Sequence, residues 1–420
     1  MVPLILLYLV LTIVRPQDYL PALAGVPVLP VVLVLAFLAW AGSRARTFAA
    51  PQFAILPAFL LVLMISQATN GWVGGMLDQL GKFGPTVIAF FILAAACTTR
   101  AHAIATMRVI ALCAFVLALH GVGQARSGIG WTGVPVGEDG RIQYVGIFND
   151  PNDLGLLFVT ALPMAVYLAH RAGVLGKLFW HAGALLLLYG IYLTNSRGAL
   201  LAVLLVAGAY VWYRRGALVA GMLGAAGLAA MKLLSSRMQE LDAGEESANG
   251  RVDAWYSGLH MFMSHPLFGV GAGNFTEYND LTAHNSFVLV LAEAGFVGYV
   301  LWLAFVGYSF WMMFAVLRYQ PKSGDAELLA TAREERTLGL ALLLSLCGMF
   351  AAAFFLSRSY MIVLYLVLAM VTGYYVGAQR RLPGLRMFTL SDGGWRWVPA
   401  AMGSIAGLYV LVAVLLRTAG

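Results

Sequence analysis

The stretch SFVLVLAEAGFVGYVLWLAFVGYSFWMMFAVL, residues 286–317, decides the fold of this chain. It contains one charged residue, Glu293, and it exceeds the roughly 20 apolar residues that a helix needs to cross a bilayer. Because lipid offers no hydrogen-bond partners, a segment of this kind has to pair its own backbone groups. The stretch therefore predicts a membrane-spanning helix.

Apolar runs of similar character recur along the whole chain, which is 61% hydrophobic and only 11% charged, whereas soluble domains carry roughly 25% charged residues. This composition predicts an all-α, polytopic integral membrane protein in a single membrane domain, 1–420. About 12 spans are expected (12–13), because the first run is short and the last stands apart. The runs are 2–14, 20–42, 52–67, 83–97, 103–123, 153–169, 178–194, 198–213, 216–234, 286–317, 337–356, 359–379 and 396–416.

The distribution of charge predicts the orientation of these spans. If the N-terminus is cytoplasmic, the segments after even-numbered spans carry sixteen of the 26 basic residues but only five of the 19 acidic ones. Cytoplasmic loops are enriched in Lys and Arg, so the basic segments are expected inside the cell. An accidental bias is the alternative, and it would require several loops to mislead in the same direction. Contact with anionic lipid explains the basic balance, and no nucleic-acid partner is implied.

The long polar segment 235–286, between the ninth and tenth spans, is then expected outside the cytoplasm. Four apolar residues recur in it at three- and four-residue spacing, which predicts a short amphipathic helix starting at Arg251 and ending before Pro266. These residues are Val252, Trp255, Leu259 and Phe262. The three cysteines, Cys97, Cys113 and Cys347, fall in or beside spans, so no disulfide framework is predicted.

Three arginines are candidates for binding a phosphate-rich ligand at this outer boundary. Arg197 lies in the polar break TNSRG, Arg251 in the long loop, and Arg358 in the break SRSY. Guanidinium stays charged and binds phosphate through two hydrogen bonds. The alternative is that each arginine extends to the interface or pairs with a nearby acid. Tyr360, beside Arg358, is a further candidate for substrate contact.

His284 is the candidate general base. It lies at or just before the start of the tenth span, where the positive end of the helix dipole disfavours imidazolium and favours the neutral, proton-accepting ring. A structural role is the alternative for a lone histidine, and His260 and His265 in the same loop are weaker candidates. Asn285, the next residue, is included as a substrate contact.

Two further motifs have both a structural and a functional interpretation. The segment FNDPND, 148–153, suits a helix N-cap, but its two amides and two acids, Asn149, Asn152, Asp150 and Asp153, could also bind sugar hydroxyls or orient a base. GVGAG, 269–273, suits close packing of the loop better than a phosphate cradle, because no strand and no Lys-Ser/Thr follows. Neither a Walker lysine motif nor zinc-ligand spacing occurs in the sequence, so no ATP, metal or other cofactor is expected.

Taken in order, several motifs resemble the O-antigen ligase and O-antigen polymerase superfamily of bacterial envelope glycosyltransferases. They are RPQDYLPAL (15–23), FNDPNDLG (148–155), TNSRGALLA (194–202), RVDAWYSGL (251–259), HPLFGVGAGNF (265–275) and HNSFVLVLAEAGFVG (284–298). The resemblance implies a multi-pass protein of the bacterial inner membrane whose catalytic loop, 235–286, faces the periplasm.

The resemblance also implies a reaction. A ligase transfers O-antigen polysaccharide en bloc from undecaprenyl diphosphate to a sugar hydroxyl of lipid A-core, with inversion and without a metal. Arg197 and Arg251 would hold the diphosphate, and His284 would deprotonate the acceptor. The same motifs leave open an O-antigen polymerase or a protein O-oligosaccharyltransferase, and a secondary transporter or flippase is the alternative from another class.

Overall fold

A computed structural model of the chain describes residues 1–44, 46–137, 139–234, 241–321, 324–391 and 393–419. These residues form α-helices joined by turns and by longer loops that contain short 3-10 helices, with no β-sheet among them. The helices are α1 Val2–Ile13, α2 Val28–Ala41, α3 Gln52–Thr69, α4 Gly74–Ala96, α5 Arg100–Ser127, α6 Pro151–Arg171, α7 Val174–Leu193, α8 Arg197–Arg215, α9 Ala217–Leu234, α10 Leu241–Ser264, α11 Phe275–Tyr278, α12 Ser286–Arg318, α13 Ala326–Ala353, α14 Ile362–Arg381 and α15 Trp397–Ala419.

The prediction of an all-α membrane protein is confirmed. Within the described residues, ten helices are long and apolar enough to cross a membrane, and three shorter apolar helices lie at Val2–Ile13, Val28–Ala41 and Ala217–Ala229. Every predicted span overlaps one of these helices, but the second, 20–42, is α-helical only over Val28–Ala41, because residues 21–23 form a short 3-10 helix before it. The helix α14 is central, because 89% of its apolar window is buried, whereas α8 and α15 are peripheral with 17%.

Five of the helices begin at a residue whose side chain accepts a hydrogen bond from a free backbone N–H. Thr99 caps α5, Asp150 caps α6, Ser196 caps α8, Asn285 caps α12 and Asp325 caps α13. These caps fix the helix boundaries on which the candidate residues lie.

The polar segment 235–286 differs from the prediction in one respect. Its first six residues, 235–240, lie outside the described part of the chain. The amphipathic helix α10 begins at Leu241 rather than at Arg251, and it is 24 residues long. The added turns contain Ala243, Glu245, Glu246 and Ala248, all favourable in helices. The predicted face is confirmed, since Trp255 and Leu259 are buried, and the helix ends at Ser264 before Pro266.

The spanning helices terminate in two clusters of chain segments, one at each end of the bundle. The site end comprises residues 69–74, 141–155, 193–198, 265–286 and 353–361, and the basic end comprises residues 96–100, 171–174, 214–217, 318–321, 324–326, 381–391 and 393–397. Contacts between distant segments hold each end together. At the basic end, Glu335 is fully buried and accepts from Arg100 and Arg381.

Candidate functional site

His284 lies at the site end, immediately before the cap of α12, as predicted. Its backbone is left-handed, with φ +46°, a conformation that few residues other than glycine adopt. The Asn285 Oδ1 atom accepts from the N–H groups of Phe287 and Val288 at 2.9 and 3.1 Å, so the helix start is fixed directly after the histidine.

The surroundings of His284 favour its neutral form. Partial burial lowers the pKa of the imidazole below its usual value, and the charge of Arg251 lowers that pKa further; Asp150 acts in the opposite direction, while Arg358 again lowers the pKa. These interactions also show that the three charged side chains lie near the ring. A half-buried, neutral imidazole at pH 7 is suited to accepting a proton.

Arg197 is the first residue of α8, directly after a tight turn. The turn has Asn195 at φ +46°, and Ser196 Oγ caps the helix by accepting from the Ala199 N–H at 3.3 Å. A Cβ added to Gly155 would lie 2.7 Å from the Ala199 Cβ. Because only glycine allows this approach, the start of α6 packs directly beside the turn that carries Arg197.

Arg358 is bound to Asp153, the second acid of the FNDPND segment, although the sequence analysis did not pair the two residues. Its Nε and Nη2 atoms donate to Asp153 Oδ1 and Oδ2 at 2.5 and 2.7 Å. Burial alone would lower the pKa of this guanidinium, but the paired carboxylate of Asp153 raises the pKa above its usual value. Asp153 is fully buried. The fork therefore fixes the guanidinium of Arg358 against the first turn of α6.

The break that carries Arg358 is also joined to the start of α12. The Arg358 N–H donates to Ser286 Oγ at 3.1 Å, Ser286 Oγ donates to the Leu356 carbonyl at 2.6 Å, and Ser359 Oγ donates to the Ser286 carbonyl at 2.7 Å. These bonds hold the first residue of α12, two positions after His284, against the break between α13 and α14. Arg358 thus connects the starts of α6 and α12.

The FNDPND segment acts as the expected helix cap and does more. Asp150 Oδ1 accepts from the N–H and the Nδ2 of Asn152 at 2.7 and 2.8 Å. Asn152 Oδ1 in turn accepts from Arg141 Nη2 at 3.0 Å, and Arg141 Nε donates to the Thr194 carbonyl at 2.8 Å. Arg141, which the sequence analysis missed, links the α6 cap to the turn before Arg197, while Asn149 is exposed beside them.

The GVGAG segment packs closely, as predicted, against an interruption in α12 at Gly295, where φ is +64° and ψ −165°. Val270 and Gly271 donate their N–H groups to the Ala292 and Glu293 carbonyls at 2.9 and 3.1 Å. A Cβ on Gly269 would lie 2.5 Å from the Ala292 carbonyl oxygen. Because two of its amides are donated to α12, the segment is not arranged as a phosphate cradle.

Tyr360 points into the bundle beneath this segment. Its ring stacks on Phe59 with a centroid distance of 6.3 Å. Burial raises the pKa of the phenol well above its usual value, and the nearby Glu293 carboxylate raises it further. Asn285 Nδ2 is likewise buried and has no hydrogen-bond partner among the described residues. Of the two, Asn285 directly adjoins His284.

The described residues contain no group of three His, Cys, Asp or Glu side chains placed to hold a metal ion. Chemically, the site end combines the imidazole of His284 with three arginines: Arg197 at the start of α8, Arg251 within α10, and Arg358 in the break before α14. Such an arrangement can accept a proton while stabilising negative charge on a phosphate-containing group.

Comparison with known proteins supports the family resemblance seen in the sequence motifs. A family model described as O-antigen ligase matches residues 182–303, a range that includes Arg197, Arg251 and His284. A search of curated proteins gives no match. The match confirms the resemblance of this chain to the O-antigen ligase and polymerase superfamily of membrane enzymes.

Proposed function

We propose that the protein transfers O-antigen polysaccharide en bloc from undecaprenyl diphosphate to a sugar hydroxyl of lipid A-core. The family match supports this reaction class. The observation that carries the proposal is the location of His284 directly before α12, where partial burial and the nearby charge of Arg251 lower the pKa of its imidazole. The site end would face the periplasm, because the opposite end is the basic one.

In the proposed reaction the acceptor hydroxyl donates its proton to the neutral ring of His284. The hydroxyl oxygen attacks the anomeric carbon of the donor, and the bond from that carbon to the diphosphate oxygen breaks with inversion. The bond electrons leave on the diphosphate, and Arg197 and Arg251 stabilise the added charge. No step requires a metal or a nucleotide.

Within this proposal the residues have four different roles. His284, Arg197 and Arg251 contact the reacting groups. Arg358 acts through its ion pair with Asp153, which positions the starts of α6 and α12 on either side of the site. Asn149, Asp150, Asn152 and Asn285 line the boundary where sugar hydroxyls would bind, and Tyr360 supports the loop from beneath.

An in vitro assay tests the proposal directly. The full chain, purified in detergent, is mixed with undecaprenyl-diphosphate-linked O-antigen and rough lipopolysaccharide, without nucleotide and with excess chelator. We expect polysaccharide to appear on lipid A-core. A strict requirement for a divalent metal would contradict the mechanism, and absence of transfer under any condition would contradict the function.

The product distinguishes the remaining candidates. Elongation of lipid-linked repeats in the absence of lipopolysaccharide would identify a polymerase, and transfer to protein would identify an oligosaccharyltransferase. Movement of the lipid-linked glycan across vesicles, with no new glycosidic bond, would indicate a transporter or flippase.

A further inference from the structure

An open cavity of about 670 Å³ lies at the basic end, on the opposite side of the bundle from His284. The last two turns of α12 form one wall, and the segment between α14 and α15 forms the other. The cavity is lined by aromatic side chains and by three arginines, which are Arg318, Arg386 and Arg396. The proposed transfer reaction uses none of these residues.

The apolar part of the cavity is a packed aromatic floor. Trp311 stacks on Phe388 with a centroid distance of 6.3 Å and an interplanar angle of 30°. Trp311 also contacts the Trp397 ring at 4.4 Å, while Phe314 remains 42% exposed. A floor of this kind suits hydrocarbon or a glycerol backbone better than a fully hydrated solute.

The second wall is held in place by two phenols. Tyr375 Oη, from α14, donates to the Arg386 carbonyl at 2.5 Å, and Tyr319 Oη donates to the Pro383 carbonyl at 2.8 Å. These bonds fix the backbone of the 383–388 segment, so the cavity is a feature of the fold.

The arginines give the rim a positive charge. All three side chains are exposed, and within the described residues none of them forms a salt bridge with a carboxylate. The Arg386 guanidinium instead lies 5.0 Å from the centroid of the Phe388 ring. Arg100 and Arg381, at the same end, are bound to Glu335. The rim can therefore accept an external anion.

We propose that this cavity binds an anionic phospholipid, with its phosphate at the three arginines and the start of an acyl chain on the aromatic floor. Guanidinium groups bind phosphate through paired hydrogen bonds. Trp395 and Met387, beside the rim, are 70% and 68% exposed, as expected where side chains meet lipid at headgroup level. Basic pockets on this side of membrane proteins suit acidic headgroups.

Native mass spectrometry of the full chain in neutral detergent tests the proposal, with phosphatidylglycerol as the probe and phosphatidylcholine as the neutral comparison. Each basic side chain near an anionic surface contributes about fivefold in affinity. We expect the triple variant R318Q/R386Q/R396Q to bind phosphatidylglycerol at least about tenfold more weakly, with phosphatidylcholine binding unchanged.

The matched control is R214Q/R215Q/R333Q, which removes the same charge from exposed arginines of the basic end that do not line the cavity. Its affinity should change less than about twofold. Equal loss in both triple variants would show diffuse surface attraction and overturn the proposal. Competition by soluble glycerol 3-phosphate at concentrations similar to the lipid would identify a site for free anions, which would also overturn it.

A second variant covers the case in which the triple variant does not fold. Ala315→Phe fills the cavity from α12 and leaves every arginine in place. Phosphatidylglycerol binding should fall in this variant as well, and unchanged binding would contradict the proposal. Because the readout is lipid binding, its outcome is independent of the transfer assay.

Discussion

A buried carboxylate held by arginine lies at each end of the bundle, but the two pairs differ in what surrounds them. At the basic end Glu335 accepts from both Arg100 and Arg381, and the cluster joins α5, α13 and α14. At the site end Asp153 is bound to Arg358, whose side chain is 33% exposed. Ion pairs of the same kind therefore complete the packing at the basic end and border an open, charged site at the site end.

The difference shows how a membrane bundle separates stability from chemistry. Truncation of one partner of a buried pair leaves an uncompensated charge, which costs about 3–5 kcal/mol. At the basic end this free energy supports the fold alone. At the site end the same kind of contact also sets the distance between the starts of α6 and α12, on which the location of His284 depends.

Replacement of His284 should have the largest effect on activity. His284→Ala removes the proposed general base, so we expect transfer to fall about 10²- to 10⁴-fold, with little change in thermal stability because the ring is only half buried. Initial rates with saturating donor and acceptor provide the measurement.

His170→Ala is the matched control from the basic end, where His170 is exposed at the end of α6. It should retain full activity. Wild-type rates in His284→Ala would remove the base assignment, and equal losses in the two variants would point to a general effect on the bundle.

Arg251→Lys should have the next largest effect. Lysine keeps the charge but cannot form the two parallel hydrogen bonds of guanidinium, so we expect transfer to fall about tenfold to a hundredfold. The control is Arg333→Lys, from the exposed start of α13, which should leave the rate unchanged. An unaffected rate in Arg251→Lys would make Arg251 structural.

The two ion pairs can be compared directly with one substitution at each end. Arg358→Lys should lower transfer about tenfold, because the start of α6 is no longer held by a fork. Arg381→Lys should lower the melting temperature by about 2–6 °C and leave the rate per folded molecule unchanged. Transfer rates and melting temperatures are measured for both variants. Equal changes in rate and in melting temperature would contradict the proposal that the two ion pairs have different roles.

The sequence analysis predicted the parts of this comparison that depend on local patterns. The apolar runs identified the helices, and Val252, Trp255 and Leu259 identified the buried face of α10. The location of His284 before α12 followed from the polar residues preceding an apolar run. Each of these features is determined by residues near one another in the chain.

The remaining features depend on contacts between distant segments. Asp153 and Arg358 are 205 residues apart, and no local pattern links them. The break in α12 at Gly295 lies inside an apolar run, and its cause is the packing of the 265–275 segment across it. For Asp153 a signal was present, since an ionisable residue at the start of a span requires a partner.

The smallest expected effect is a shift in the acid side of the pH profile. Because burial and the charge of Arg251 lower the pKa of His284, the neutral base persists at more acidic pH than for a free histidine, whose pKa is about 6.5. At pH 6.5 the enzyme should therefore retain more than half of its maximal kcat/KM.

The residual activity of Arg251→Gln should decline at higher pH than that of Arg251→Lys, since only the lysine keeps the positive charge beside the ring. Arg381→Lys, at the other end, should leave the acid limb in place. An acid limb above pH 6.5 in the wild-type enzyme would mean that the titrating group is not the imidazole of His284. The contacts around His284 would then serve only the fold, as those around Glu335 do at the basic end.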